Sequence, residues 1–228
     1  MSVSGFEVFD VSVLVETQRR RGVSKIRVNS MSALETISVP AAHPQRKRFT
    51  REEAHRMADL GLVSGRYELL DGEVIDKTGQ SPPHAYTFTR LQTWLLTLFE
   101  ANQLRLQLPI EVAPQDQRRS EPEPDIAVVA EDRPQYQSRH PRGDELLVVI
   151  EIADTSAAFD LSVKAGLYAR AGVPEYWVLD LNRRALLVHR QIEQGTYREV
   201  KTLGEKEFAS LACRPEQEIL VAKLMPNS

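Results

Sequence analysis

At 228 residues, 42% hydrophobic and 27% charged, the chain has an ordinary globular balance and a length that suits one domain plus an appendage. Its 29 Lys and Arg against 32 Asp and Glu leave a formal charge of -3, so the general basic excess of a protein that lives on duplex DNA is missing and any nucleic-acid contact must come from a local patch. A single cysteine, Cys213, excludes an internal disulfide and a cysteine-rich zinc site, and no apolar run approaches the roughly 20 residues of a membrane span; a cytoplasmic chain without membrane contact is expected.

Residues 1–48 keep no helical or strand period, and basic clusters (Arg19 to Arg21, Arg46 to Arg48) interrupt their short apolar pieces. They read as a weakly ordered extension or as a basic arm for nucleic acid. Glu7, Asp10 and Glu16, and apolar residues ahead of the arginines, are the reverse of a secretory signal. Residues 49–228 form the domain. It opens on Thr50-Arg51-Glu52-Glu53, a capping box that predicts a helix to about Leu60. Tyr67 to Leu70 and Glu73 to Ile75 flank Asp71-Gly72, a pair that supplies the positive φ angles of a two-residue hairpin turn.

Pro82 and Pro83 are expected to break the chain before a long helix from His84 to Asn102, whose Leu91, Trp94, Leu95, Leu98 and Phe99 fall on one stripe. Strands follow near Arg105 to Val112, Asp125 to Ala130 and Leu146 to Ile152, the last apolar on both faces like a covered central strand. A helix over Ala157 to Ala171 ends at Gly172 and Pro174, and Glu175 to Leu181, Ala185 to Arg190 and Tyr197 to Thr202 read as an antiparallel meander. The fold class is therefore α/β, a mixed α+β sheet with few covering helices.

Phosphate-loop, dinucleotide, zincin and nucleophile-elbow motifs are absent. What remains is acids at the ends of apolar strands. Pro124 sets Asp125 at the mouth of one strand. Glu151 continues a buried row, on the face of Leu147 and Val149 by alternation. A carboxylate there must be neutralised, hydrogen-bonded or bound to a cation; the plainer alternative for both acids is a strand end that reaches water. Asp160, Lys164 and Tyr168 are four apart on one helix face, as a functional row or as a solvent-facing ion pair worth ~0.3–0.5 kcal/mol. Tyr176 and Trp177 read as core.

The stretches Arg66 to Glu73 (RYELLDGE), Glu123 to Val129 (EPDIAVV), Val149 to Ile152 with Ser156, the Asp160–Lys164–Tyr168 row and Gly172 to Asp180 (GVPEYWVLD) together resemble the Uma2 (DUF820) family of the PD-(D/E)XK superfamily, over about Phe49 to Thr202. The resemblance implies a restriction-endonuclease-like core: a central mixed sheet, flanking helices and an antiparallel meander. It implies an endonuclease that cleaves DNA with Mg²⁺, or Mn²⁺ in its place, held by Asp125 and Glu151, and it leaves room for a homodimer. The superfamily's lysine belongs two residues after Glu151, where this chain has Ala153, and the resemblance moves that amine to Lys164. Glu68 is implied as a further catalytic carboxylate and His84 as a contact to substrate phosphate; their plainer roles are a charged hairpin residue and a polar helix start. A nuclease fold that binds nucleic acid or protein without cutting, or that serves only as structure, is the competing reading.

Overall fold

A computed structural model describes residues 23–27, 36–40, 46–63, 65–77, 79–154 and 156–227. The chain divides into two compact units, Met1–Arg46 and Lys47–Ser228. In the first, β1 (Val23–Arg27) and β2 (Thr36–Pro40) pair antiparallel, with Ile26 opposite Ile37. The rest of the extension expected over 1–48 falls mostly outside the described residues.

The second unit opens as the sequence predicts. Thr50 caps α1 (Arg51–Asp59): its Oγ1 accepts from Glu53 N at 3.1 Å, while Glu53 Oε2 accepts from Thr50 N at 2.8 Å. The hairpin of β3 (Tyr67–Leu70) and β4 (Glu73–Asp76) turns on Asp71 at φ 48° and Gly72 at φ 79°. A Cβ on Gly72 would meet the Cβ of Arg48 at 2.7 Å, so this glycine is required by crowding as well as by its angle.

The next helix differs from expectation at both ends. α2 spans Pro82–Leu95, with the prolines inside it as its first two residues. Their missing N–H groups have no intrahelical partner there anyway, and the Ser81 hydroxyl accepts from His84 N. The helix stops at Leu95 instead of Asn102, because the last turn tightens: Thr97 N donates to Trp94 O and Leu98 N to Leu95 O, each three residues back. Phe99 nevertheless stays buried, so the apolar stripe outlasts the helix.

The core is a six-stranded sheet in the order β10-β9-β8-β7-β6-β5. Its strands are β5 (Leu104–Leu106), β6 (Ile126–Val129), β7 (Leu146–Ala153), β8 (Tyr176–Asp180), β9 (Ala185–Glu193) and β10 (Thr196–Gly204). Only β7 and β8 run parallel, which makes the sheet mixed. β5 is much shorter than the strand expected over 105–112; Pro109 and the departure of Gln107 to φ 51° end it.

The crossover from β7 to β8 is a helix in three pieces: α3 (Ala157–Phe159), a widened π-helical turn over Asp160–Lys164, and α4 (Ala165–Ala171), closed by Gly172 at φ 85°. One face of the sheet (Ile126, Val148, Ile150, Trp177) packs on Leu91 and Leu95 of α2, where Trp177 stacks on Trp94 at 5.8 Å. The other (Ala127, Val149, Val178) packs on Tyr168 and Ala165 of the crossover. Full burial of such side chains contributes about 1.5–3 kcal/mol each, so the two layers fix where the strand ends lie.

Two features escaped the sequence reading. β11 (Phe208–Leu211) and β12 (Arg214–Leu220) form a C-terminal hairpin; Ala209, Leu211 and Ile219 join the α2 side of the core. A β-bulge between Val128 and Val129 shifts the β6/β7 register, so Leu147 packs on the α2 side and no longer shares a face with Glu151.

Candidate active site

Asp125 immediately precedes β6, and Glu151 sits near the end of β7. The antiparallel register that pairs Ile126 with Ile150 puts Asp125 opposite Glu151, on the crossover side of the sheet. Glu68 comes from β3, which is bridged to the segment before β6 by reciprocal bonds between Leu69 and Glu121. The Glu68 Oε2 atom accepts from Glu123 N at 3.2 Å, so hairpin and strand mouth form one corner.

Lys164 completes the group from the widened turn. Its Nζ lies 2.8 Å from Glu68 Oε1, 3.0 Å from Glu151 Oε1 and 3.5 Å from Asp160 Oδ1. All these side chains and Asp125 are buried, between 2% and 5% exposed, so the solvent-facing Asp160–Lys164 pair is not what forms. Tyr168, one turn on, donates its hydroxyl to Glu151 Oε1 at 2.7 Å. Tyr176 and Trp177 are core, as expected; the Tyr176 hydroxyl also donates to Asp160 O at 3.2 Å.

The electrostatics of the acids diverge. Burial alone would raise the Asp125 carboxyl. The hydrogen bond and charge of His84, Nε2 at 3.2 Å, and the Ile152 N–H at 2.9 Å outweigh it and hold the group below its ordinary range. Glu151 moves the other way, up to about 8: desolvation dominates, and Asp125, Asp160 and Glu68 add to it against the pull of Lys164. Desolvation also raises Asp160, whose Oδ2 accepts from the Ser156 hydroxyl. For Lys164 the surrounding carboxylates, Glu151 first, overcome the burial that would lower it, and the amine stays charged.

Reasoning from sequence missed Gln107, whose amide reaches Asp125 Oδ1 at 3.4 Å, and the pair Arg66 and Lys77 on the cavity wall. All three reach the site through tertiary packing, which no local motif announces. His84 was expected against phosphate at a helix start. Its backbone N–H is already taken by Ser81, and its ring is turned to Asp125.

These groups line a cavity of about 690 Å³. Both hydrogen bonds of Glu151 fall on Oε1, and Asp125 takes its two shorter ones on Oδ2, which leaves Glu151 Oε2 and Asp125 Oδ1 with spare lone pairs. Two further buried atoms on the lining residues, His84 Nδ1 and Asp160 Oδ1, have no hydrogen-bond partner. Among the described residues no three His, Cys, Asp or Glu side chains converge as a ready-made cage. Two carboxylates with spare oxygens do fit Mg²⁺, which keeps most of its waters and takes one or two protein ligands.

The model of the Uma2 family, described as "Putative restriction endonuclease", matches residues 51–222. The chain belongs to the Uma2 family. The match extends past Thr202, so the C-terminal hairpin is part of the Uma2 domain. A solved structure from Anabaena variabilis, titled as a putative nuclease belonging to DUF820, is 14% identical and superposes with a TM-score of 0.56 over 74% of this chain and 96% of that one. At that identity the likeness carries the fold alone. A search of curated proteins gave no match. Among the described residues no helix of this Uma2 chain is long and apolar enough to cross a membrane.

Proposed function

We propose that the chain is a metal-dependent endonuclease that hydrolyses phosphodiester bonds of DNA. Asp125, Glu151 and Lys164 are its working groups, Glu68 completes the catalytic carboxylates, and His84, whose Nε2 is on Asp125, meets the substrate phosphate through its unpartnered Nδ1. One observation carries the reading: Lys164, thirteen residues beyond the strand glutamate, returns to within 3.0 Å of it, beside the strand that carries Asp125. An amine and two carboxylates thus meet at paired strand ends although Ala153 occupies the expected lysine position.

Mg²⁺, or Mn²⁺ in its place, would be held by Asp125 and Glu151 and would supply an acidified water and charge withdrawal from the phosphate. In the hydrolysis the water oxygen bonds to phosphorus, the bond to one sugar oxygen breaks, and that oxygen leaves with a proton. Lys164 offsets the negative charge that grows on the phosphate; Glu68 and Glu151 already hold its ammonium, with Asp160 3.5 Å away, so it needs no reorganisation. His84 and the Ile152 N–H keep Asp125 ionised. DNA as the partner, a homodimer as the assembly and a cytoplasmic location belong to the same proposal.

A fold that binds without cutting has one observation in its favour: the Lys164 ammonium has carboxylate partners already, in a chain of charge -3. A nicking assay on plasmid and oligonucleotide DNA decides. Cleavage should require Mg²⁺ or Mn²⁺, vanish in Asp125→Ala, and fall ~10²–10³-fold, about 2.7–4 kcal/mol, in Lys164→Ala. Cleavage that survives Asp125→Ala, or no cleavage by the parent with either metal, removes the enzymatic reading.

A further inference from the structure

The cavity also says what form of nucleic acid it takes. We infer that its substrate is an unpaired strand, entered one nucleotide at a time, with Arg66 and Lys77 holding the phosphate beside the one that is cut. The inference rests on the nuclease reading of the same cavity and adds the substrate class.

Recession comes first. Asp125 and Glu151 are 5% and 3% exposed, so a phosphate reaches them only by descending into the cavity. Its volume of about 690 Å³ lies inside the roughly 300–1,000 Å³ of pockets that enclose a small ligand. A duplex is stiff, with a persistence length of about 50 nm, and carries its phosphates on a convex surface. It cannot lower one phosphate into such a recess without local bending or strand separation. A single strand can.

Chemical zoning comes second. The acids and Lys164 form a polar floor, while Ile75 and Phe159 add partly buried apolar side chains to the lining, the kind of surface on which a base rests. Cations come third. Among the described lining residues, only Arg66 and Lys77 add lysine or arginine charge to that of Lys164, and the same residue holds both: Arg66 lies 2.7 Å from Glu123 Oε2, and Lys77 3.7 Å from it. Glu123 sits two residues before Asp125, so these cations are set next to the reacting position. Duplex binders spread positive charge over a broad face. A pair on one wall suits one strand.

The test uses the full chain and three labelled DNAs of one sequence: a single strand, a hairpin-closed duplex, and that duplex with a central unpaired bubble. Single strand and bubble should be cut at least ~10-fold faster than closed duplex, with bubble cuts confined to the unpaired residues. Binding of single strand, read by fluorescence anisotropy without metal, should show a log–log salt slope of about -1.4, at ~0.7 per phosphate for two phosphates. Arg66→Ala and Lys77→Ala should each weaken that binding several-fold and raise KM more than they lower kcat. Arg66→Lys and Lys77→Arg, which keep the charge, should recover most of the affinity and show that folding is not the cause. Equal cutting of closed duplex and single strand overturns the inference and leaves the nuclease reading intact. If nothing is cut, the nuclease reading falls and anisotropy still decides: tighter binding of single strand that depends on Arg66 and Lys77 supports the inference, and equal binding of duplex refutes it.

Discussion

Strand β7 is bounded by two buried glutamates of opposite character. Glu145 directly precedes the strand; its oxygens accept two bonds from Arg139 at 2.7 Å and one from Arg142 N at 2.9 Å, and Arg133 stands 3.4 Å away. The Arg139 hydrogen bonds, offset in part by burial, hold its carboxyl down at about 2. Glu151, near the far end, receives only Lys164 and Tyr168 on one oxygen, among three other carboxylates, and is pushed up to about 8. Glu175, buried beside β8, is likewise well supplied with donors, from Trp177, Arg190 and Ala212. Burial is common to all three. The supply of donors separates an acid that ties the fold together from one left with an oxygen to spare for a ligand.

Substitution should therefore dissociate the two ends of β7. The largest effect belongs to Glu151→Gln, expected to lower cleavage at least ~10²-fold while leaving the thermal midpoint unchanged or higher, since a carboxyl pushed up to about 8 is already largely neutral near pH 7 and the amide oxygen still accepts from Tyr168 and Lys164. A marked fall in the calorimetric midpoint would collapse the distinction. Glu145→Gln should do the reverse: about 3 kcal/mol of stability lost, at about 2–4 °C per kcal/mol for a chain of this size, with the rate per folded molecule retained. The sign of its pH dependence follows from a carboxyl that titrates near 2 folded and 4.5 unfolded. Its stabilisation is complete above pH 4.5 and fades as pH falls toward 2, so urea midpoints between pH 2 and 6 should lose that slope in the variant.

Gly143→Ala probes the same end more gently. A Cβ there would meet Ala171 O at 2.4 Å, so the short turn before β7 must move off the end of α4 at a cost of about 1–3 kcal/mol. Denaturant melts would show it, and a wild-type midpoint would mean that the two segments separate freely.

Much of this organisation was legible in the chain. Thr50 and Glu53, Asp71-Gly72, the apolar run of β7 and Gly172 act through neighbours a few residues away, and local chemistry decides them. The candidate site residues were proposed mainly through resemblance, because the bonds that bring them together join Glu68 to Glu123, Asp125 to Ile152 and Lys164 to Glu151 across the fold. The C-terminal hairpin was invisible for a different reason. Arg214-Pro215-Glu216-Gln217-Glu218 has a proline, two acids and no apolar alternation, and packing against the α2 face makes it a strand. The early stop of α2 has the same origin, since Phe99 reaches the core from a turn as well as from a helix.

The widened turn at Asp160–Lys164 decides which lost codons the candidate site could survive. A π-helical turn holds one more residue than the α-helix on either side of it. Loss of the single codon for Val163, an exposed residue, would remove that extra residue and let the crossover close to α pitch with its two halves close to their present orientation, and Asp160 and Lys164, then three apart, would still share a face. Loss of Gly166, within α4, would instead turn Tyr168 away from Glu151 by about 100°, the angle of one residue at 3.6 per turn, although every named site residue would still be encoded.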